Sequence, residues 1–371
     1  MQLSLYSPIS EGAITRGWTG WGEVAKKSYT SEYLSSNWLS CFDIGIRLST
    51  YLGMPPPISS PYLLSTVKKA CLQVSSLLPS KFRALLGIRQ VQASSTSHLL
   101  ELSNSGSFTA HFGLTRQFDE QPDNVKADYR TCWTPYLEAE LQGAKLYLYA
   151  MTLALPAADD PKDDNIQSLH RETALQKGLM ASTTLITNIM TLSLVPTDGN
   201  RYPVGALTFP PKQHFTTLFF ATAYLFRFIS SSHTATQQDR ELAVTGLMDA
   251  HKIFQAFHKD RDHVRAAVHI ETFVEILRLE YAADRRPSST DLVTTSRLGA
   301  SVMCDAVFCA ARYRNRQSAS GESGAPHTWR TTNDDAASRL PLAPKEKAAT
   351  VSPPFDGQTT YEVEDTSWLE P

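Results

Sequence analysis

The segment Phe215–Ile229, FTTLFFATAYLFRFI, constrains this chain more than any other. It is apolar almost all the way round a helix, with Arg227 the one charge. A helix with no polar face has to be covered on every side, so it belongs at the centre of a core. The run is too short before Arg227 to cross a bilayer. A fold built on it needs amphipathic helices as its shell.

The rest of the chain has the period to supply them. Leu34, Trp38, Cys41, Gly45, Leu48 and Leu52 recur four and three apart, and Gly53 with Pro55–Pro57 stops that helix. Ser60–Pro61 combines an N-cap with proline at the first helical position. It predicts a helix through Leu63, Val67, Leu72 and Leu77. Ser80 caps another, through Leu85, Leu86 and Val91 towards Leu102, and residues 103–130 read as polar and irregular. Thr134–Pro135 restarts a strong stripe: Leu137, Leu141, Ala144, Leu148, Met151 and Leu155. After a charged loop at Pro156–Asp164, helices are expected over Leu169–Leu194, Glu241–Phe257, Val264–Ala283 and about Asp291–Arg312. No segment alternates with period two. The fold class expected is all-α, with eight or nine helices and essentially no sheet.

Composition agrees with a sizeable core: 371 residues, 42% hydrophobic and 19% charged. Net charge is −2, which leaves no whole-chain footprint for nucleic acid or an anionic membrane. The uncharged stretch Gly178–Thr197 carries too many Ser and Thr residues for a membrane span and reads as a buried soluble helix. The N-terminus lacks the basic and apolar regions of a signal peptide. Cys41, Cys71, Cys132, Cys304 and Cys309 are odd in number and sparse. They read as small, buried or half-buried thiols in a reducing compartment.

Motifs for chemistry are weak. His258, Asp260, Asp262 and His263 have metal-ligand residue types, but Lys259 and Arg261 interleave and the stretch reads as a solvated junction between helices. The glycines of ITRGWTGWGEV lack a P-loop lysine, and no GxSxG elbow occurs. Arg312, Arg314 and Arg316 with Tyr313 are the densest basic group and suit a helix C-terminus. No metal-binding, catalytic or cofactor residue is assigned.

Three regions follow: an irregular lead-in over 1–30, a helical domain over 31–313, and a polar, Ser/Thr/Pro/Gly-rich tail over 314–371 expected to be disordered. From Ala348 onward the tail has no Lys or Arg and five acids, so it is −5 there. Phe355, Tyr361, Trp368 and Leu369 are spaced among the acids, a composition that keeps aromatic anchors solvated and available to a partner groove.

The run NWLSCFDIGIRLSTYLGMPPP, residues 37–57, resembles a segment of the fungal zinc binuclear cluster transcription factors. In their middle homology region, a helix with a Trp leads into a motif read as A-x-R-hydrophobic-A-x-x-L-G-hydrophobic. Here Trp38 marks the helix, and Ile46, Arg47, Leu48, Leu52, Gly53 and Met54 occupy the motif. Ser49 departs from it, and no histidine follows Met54. LTFPPKQHFTTLFFATAYLFRFISSS and DLVTTSRLGASVMCDAVFCAARYR are similar to later helices of the same family, so the resemblance covers roughly residues 30–315.

The resemblance implies a non-enzymatic regulatory domain in the nucleus that controls RNA polymerase II transcription. Its partners would be the transcription machinery or co-regulators, with room for a homodimer and a small-molecule effector. The family's DNA reader is a six-cysteine zinc cluster, which five scattered cysteines cannot supply. This chain alone is therefore not expected to read DNA, and zinc is expected only if such a cluster lies upstream. Two rival readings are an α-helical enzyme, such as a terpenoid-cyclase-like bundle, and a helical interaction scaffold. The first would use Asp159–Asp160 and Asp163–Asp164, which fall in the loop after Pro156, and the second lacks a recurring 30–45-residue period.

Overall fold

A computed structural model of the chain describes residues 32–73, 78–103, 108–155, 161–194, 212–256, 261–282, 292 and 295–319. They form ten α-helices and two short 3₁₀ turns, with no strand among the described residues. The helices are α1 (Glu32–Leu52), α2 (Pro61–Gln73), α3 (Ser80–Ser103), α4 (Phe108–Asp128), α5 (Pro135–Leu153), α6 (Pro161–Leu194), α7 (Lys212–Ser231), α8 (Gln237–Ala256), α9 (Arg261–Ala282) and α10 (Ser301–Ala319). None is long and apolar enough to cross a membrane.

Local chemistry starts several of them. Ser60 Oγ accepts from the Leu63 amide, and Thr134 caps α5 with Pro135 behind it. At α8, Thr236 Oγ1 accepts from the Asp239 amide at 3.2 Å while Asp239 Oδ2 accepts from the Thr236 amide at 2.9 Å. This reciprocal pair is a capping box with aspartate in the usual glutamate place.

As its composition predicts, α7 is the central helix and touches α5, α6, α8, α9 and α10. Leu218, Ala221, Tyr224, Leu225 and Phe228 are buried. Its closest neighbour is α6. A methyl group on Gly178 would lie 2.1 Å from the Tyr224 ring, so only glycine lets the two backbones approach this far. The Tyr224 hydroxyl then donates to the Ala174 carbonyl at 2.8 Å, which satisfies a polar group at the centre of the core. A second core lies under α1–α3, around Leu39, Phe42, Ile46, Val67 and Leu86. A third, smaller cluster packs Ala84, Leu85 and Ile88 of α3 against Leu137, Leu141 and Ala144 of α5, whose predicted stripe is buried throughout.

Four expectations need correction. Residues 108–128 form a helix where the sequence reads as irregular. Its inward side is His111, Thr115, Phe118 and Pro122, a stripe at helical spacing whose polar members hide the period. The charged loop is shorter than expected, because α6 begins at Pro161 and takes in Asp163 and Asp164. The last helix begins at Ser301 and continues to Ala319, so the helical part runs past the boundary expected at residue 313. Lastly, α1 turns a different face inward. Trp38, Leu39, Phe42 and Ile46 are buried, whereas Leu48 and Leu52 are exposed beside Ile44 and Tyr51. Four large apolar groups on the outer side gave that helix two competing stripes.

Candidate functional site

The most concentrated polar chemistry lies where α1, α3 and α5 meet. Asp43 and Arg47 come from α1, Arg89 and Gln92 from α3, and Tyr136 and Glu140 from α5. Asp43 and Arg47 are one helical turn apart and face the same way. Arg89 follows the buried Ile88, and Glu140 stands between the buried Ala139 and Leu141. Packing the apolar residues therefore carries these charges inside with them.

The geometry is closed. Arg47 Nε and Arg89 Nε both donate to Asp43 Oδ1, each at 2.9 Å. Arg89 Nη2 donates to Glu140 Oε2, and Arg47 Nη1 lies 3.6 Å from Glu140 Oε1. Arg47 Nη2 donates to the Tyr136 hydroxyl at 3.1 Å, and Arg89 Nη1 donates to Gln92 Oε1 at 2.9 Å. Gln92 Nε2 passes the chain on to Thr50 Oγ1 at 2.9 Å. Two cations meet two anions, so the lattice is neutral. Burial opposes the charge on Arg47, but the carboxylates of Glu140 and Asp43 outweigh it and raise its pKa. Burial likewise opposes ionisation of Glu140, and the Arg89 and Arg47 guanidiniums overcome it and hold the carboxyl below its usual range. Burial and the Glu140 charge push the Tyr136 phenol up. His214 of α7 stacks obliquely on Tyr136 at 5.3 Å, and burial lowers its pKa.

Chemically this arrangement is a brace. Glu140 is held as an anion between the two guanidiniums, so the arrangement ties fixed charges together. Its role is to fix the order of three helices, since a buried charge left without its partner is costly.

The residues singled out from sequence are placed as follows. Arg47 is inside the lattice, and Trp38 is buried in the α1–α3 core. Leu52 presents its side chain to solvent, while its carbonyl accepts from Arg297 Nη1 at 3.4 Å. Gly53 has φ +64°, and a Cβ there would fall 2.1 Å from the Arg297 carbonyl oxygen. Both conformation and space demand glycine. Phe355, Tyr361, Trp368 and Leu369 lie outside the described residues, as do His258, Asp260, Asp159 and Asp160. His263 packs against the Phe215 ring at 4.8 Å. Arg314 donates to His269 Nε2 at 3.3 Å, so this part of the basic group is packed against α9. All five cysteines are half-buried free thiols, as expected. Among the described residues, no group of three or more His, Cys, Asp or Glu side chains could hold a metal.

Sequence reasoning missed Asp43, Arg89, Gln92, Tyr136 and Glu140. The available signals were the four-residue spacing of Asp43 and Arg47, and a lone acid on the otherwise apolar stripe of α5. The histidines His111 of α4 and His170 of α6 also escaped notice. Both are buried, 5.7 Å apart between ring centres, with no partner at Nε2. No protein-family model matches this chain, and neither a curated protein nor a solved structure does.

Proposed function

We propose that this chain is the helical regulatory domain of a fungal-type transcription factor, acting in the nucleus on RNA polymerase II transcription through co-regulators. What supports the reading is that the three stretches carrying the family resemblance meet in space. The first stretch touches the third where Arg297 binds the Leu52 carbonyl and seats Gly53. The second joins the third through Arg227 and Asp305, a buried pair at 3.5 Å. His214, in the second, lies within the field of Glu140, to which Arg47 of the first is paired. The three stretches are thus joined pairwise although they are distant in the chain, as a shared fold requires. Arg47 and Gly53 have structural roles in that arrangement, so the domain works as a rigid platform and DNA contact falls to another module.

Tethering tests this. The full chain is fused to a neutral DNA-binding domain above a reporter, and its nuclear accumulation is followed. A several-fold change in reporter output that depends on the tether supports the reading. Unchanged output together with exclusion from the nucleus overturns it.

A further inference from the structure

From Ile44 to Leu100 the sequence contains no Asp or Glu, yet it holds six Lys and Arg residues. Two of these, Arg47 and Arg89, are neutralised in the lattice by Asp43 and Glu140. The other four are Lys68 and Lys69 of α2 and Lys81 and Arg83 in the first turn of α3. In a chain of net charge −2 this is a local excess of positive charge.

The fold brings the four together. Phe82 of α3 packs on the same core as Leu63, Leu64 and Cys71 of α2. Burial pushes the Cys71 thiol up to about 11, and the nearby Arg83 guanidinium opposes that shift. The start of α3 therefore lies against the end of α2. Lys68, Lys69 and Lys81 are exposed and Arg83 is half-buried, with no hydrogen-bond partner at its buried Nε.

Apolar groups share this surface. Tyr62 is 68% exposed and Leu72 67%, while Val67 and Ala70 of the same helix face the core. On the outer face Lys69 falls between Tyr62, seven positions before it, and Leu72, three after it. The face thus alternates apolar, cationic and apolar over about 15 Å of helix.

We infer that the outer face of α2, with the first turn of α3, docks an acidic segment of a partner protein that carries large apolar side chains among its acids. Its carboxylates would meet Lys68, Lys69 and Arg83, and its apolar groups would cover Tyr62 and Leu72. Charge complementarity selects this occupant. Nucleic acid would pair with the cations but leave Tyr62 and Leu72 wet. An anionic membrane suits a helix whose cations flank its apolar strip, whereas Lys69 stands within it. A second copy of this surface would set cations against cations. The site rests on charge and exposure alone, so it stands apart from the transcriptional reading. Binding is measured on the purified chain without a reporter, and either result can fail alone.

The test is fluorescence anisotropy on the full 371-residue chain. The probe is a labelled peptide of ~15 residues in which Asp and Glu alternate with Leu and Phe. It should bind at one per chain and weaken several-fold as salt rises from about 0.05 to 0.5 M. Polyglutamate of the same length should bind at least ~10-fold more weakly, because it has nothing to lay on Tyr62 and Leu72. Lys68→Glu with Lys69→Glu should weaken peptide binding ~10-fold or more without moving the melting temperature, since both side chains are exposed. Tyr62→Ser with Leu72→Ser should weaken it several-fold. The same charge change at two exposed arginines of α10, Arg312→Glu with Arg316→Glu, should leave binding as it is. The proposal is overturned if the α2 charge variant binds like the parent, or if polyglutamate or duplex DNA binds as tightly as the peptide. It is equally overturned if phosphatidylserine vesicles displace the peptide. Binding that appears only when the five acids of residues 348–371 are replaced by their amides would make this chain's own tail the occupant, and a partner would then be excluded.

Discussion

Arg47 and Arg89 donate through their Nε atoms to the same oxygen, Asp43 Oδ1, at the same distance of 2.9 Å. One carboxylate oxygen thus joins a neighbour on its own helix to a residue 46 positions away on another. Glu140 closes the lattice from α5. Removing one anion strands a buried cation. Asp43→Asn and Glu140→Gln are each expected to lower unfolding free energy by about 3–5 kcal/mol in denaturant melts. Replacing all four charged groups together by apolar residues of similar volume is expected to cost far less. A loss below ~1 kcal/mol for both single variants would show that the lattice is not the brace described.

The contact between Gly178 and Tyr224 gives a steric prediction. Gly178→Ala places its methyl 2.1 Å from a fully buried ring, which has to shift against α6 and α7. An overpacked core of this kind typically loses about 1–3 kcal/mol. Guanidinium unfolding of the variant reads that loss directly, and a variant as stable as the parent would mean that α6 and α7 slide apart freely.

Acid sensitivity should come from His111 and His170. Burial lowers both to about 4, and for His170 the neighbouring His111 and Lys177 add to the effect. Both are therefore neutral in the folded protein near pH 7, and the unfolded chain takes up protons first as pH falls. Their contribution is complete above about 6.5 and is lost between about 6.5 and 4. At pH 5 the loss is about 2 kcal/mol for each histidine, on the order of magnitude such shifts permit. Stability measured from pH 7.5 to 4.5 should fall more steeply for the parent than for a His111→Phe/His170→Phe variant. Parallel curves would remove the pair from the account.

The acidic–aromatic end of the chain gives the last prediction. Residues 348–371 fused to a neutral DNA-binding domain should activate a reporter several-fold. Trp368→Ala with Leu369→Ala should abolish most of that signal, because an acidic segment without its apolar anchors has nothing to bury in a partner. An inert fusion, or one indifferent to both substitutions, excludes the tail as the activating element.

What the sequence by itself determined is the local part of this protein. The helical period, the caps at Ser60 and Thr134, the stop at Gly53 and the interior place of α7 all depend on neighbours within a few residues, and such signals survive in one dimension. The α4 helix was lost because its buried stripe contains His111 and Thr115, which a hydrophobic pattern passes over. The inward face of α1 is not legible in the sequence because Leu48 and Leu52 are as apolar as the residues that face inward. The lattice and the Arg227–Asp305 pair were decided only by tertiary structure. Arg89 is 51 positions from Glu140, and Arg227 is 78 from Asp305. No periodicity links residues so far apart. Their charges were brought together by burial of the apolar residues beside them, and the cost of leaving a buried charge alone then fixed which partner each one took.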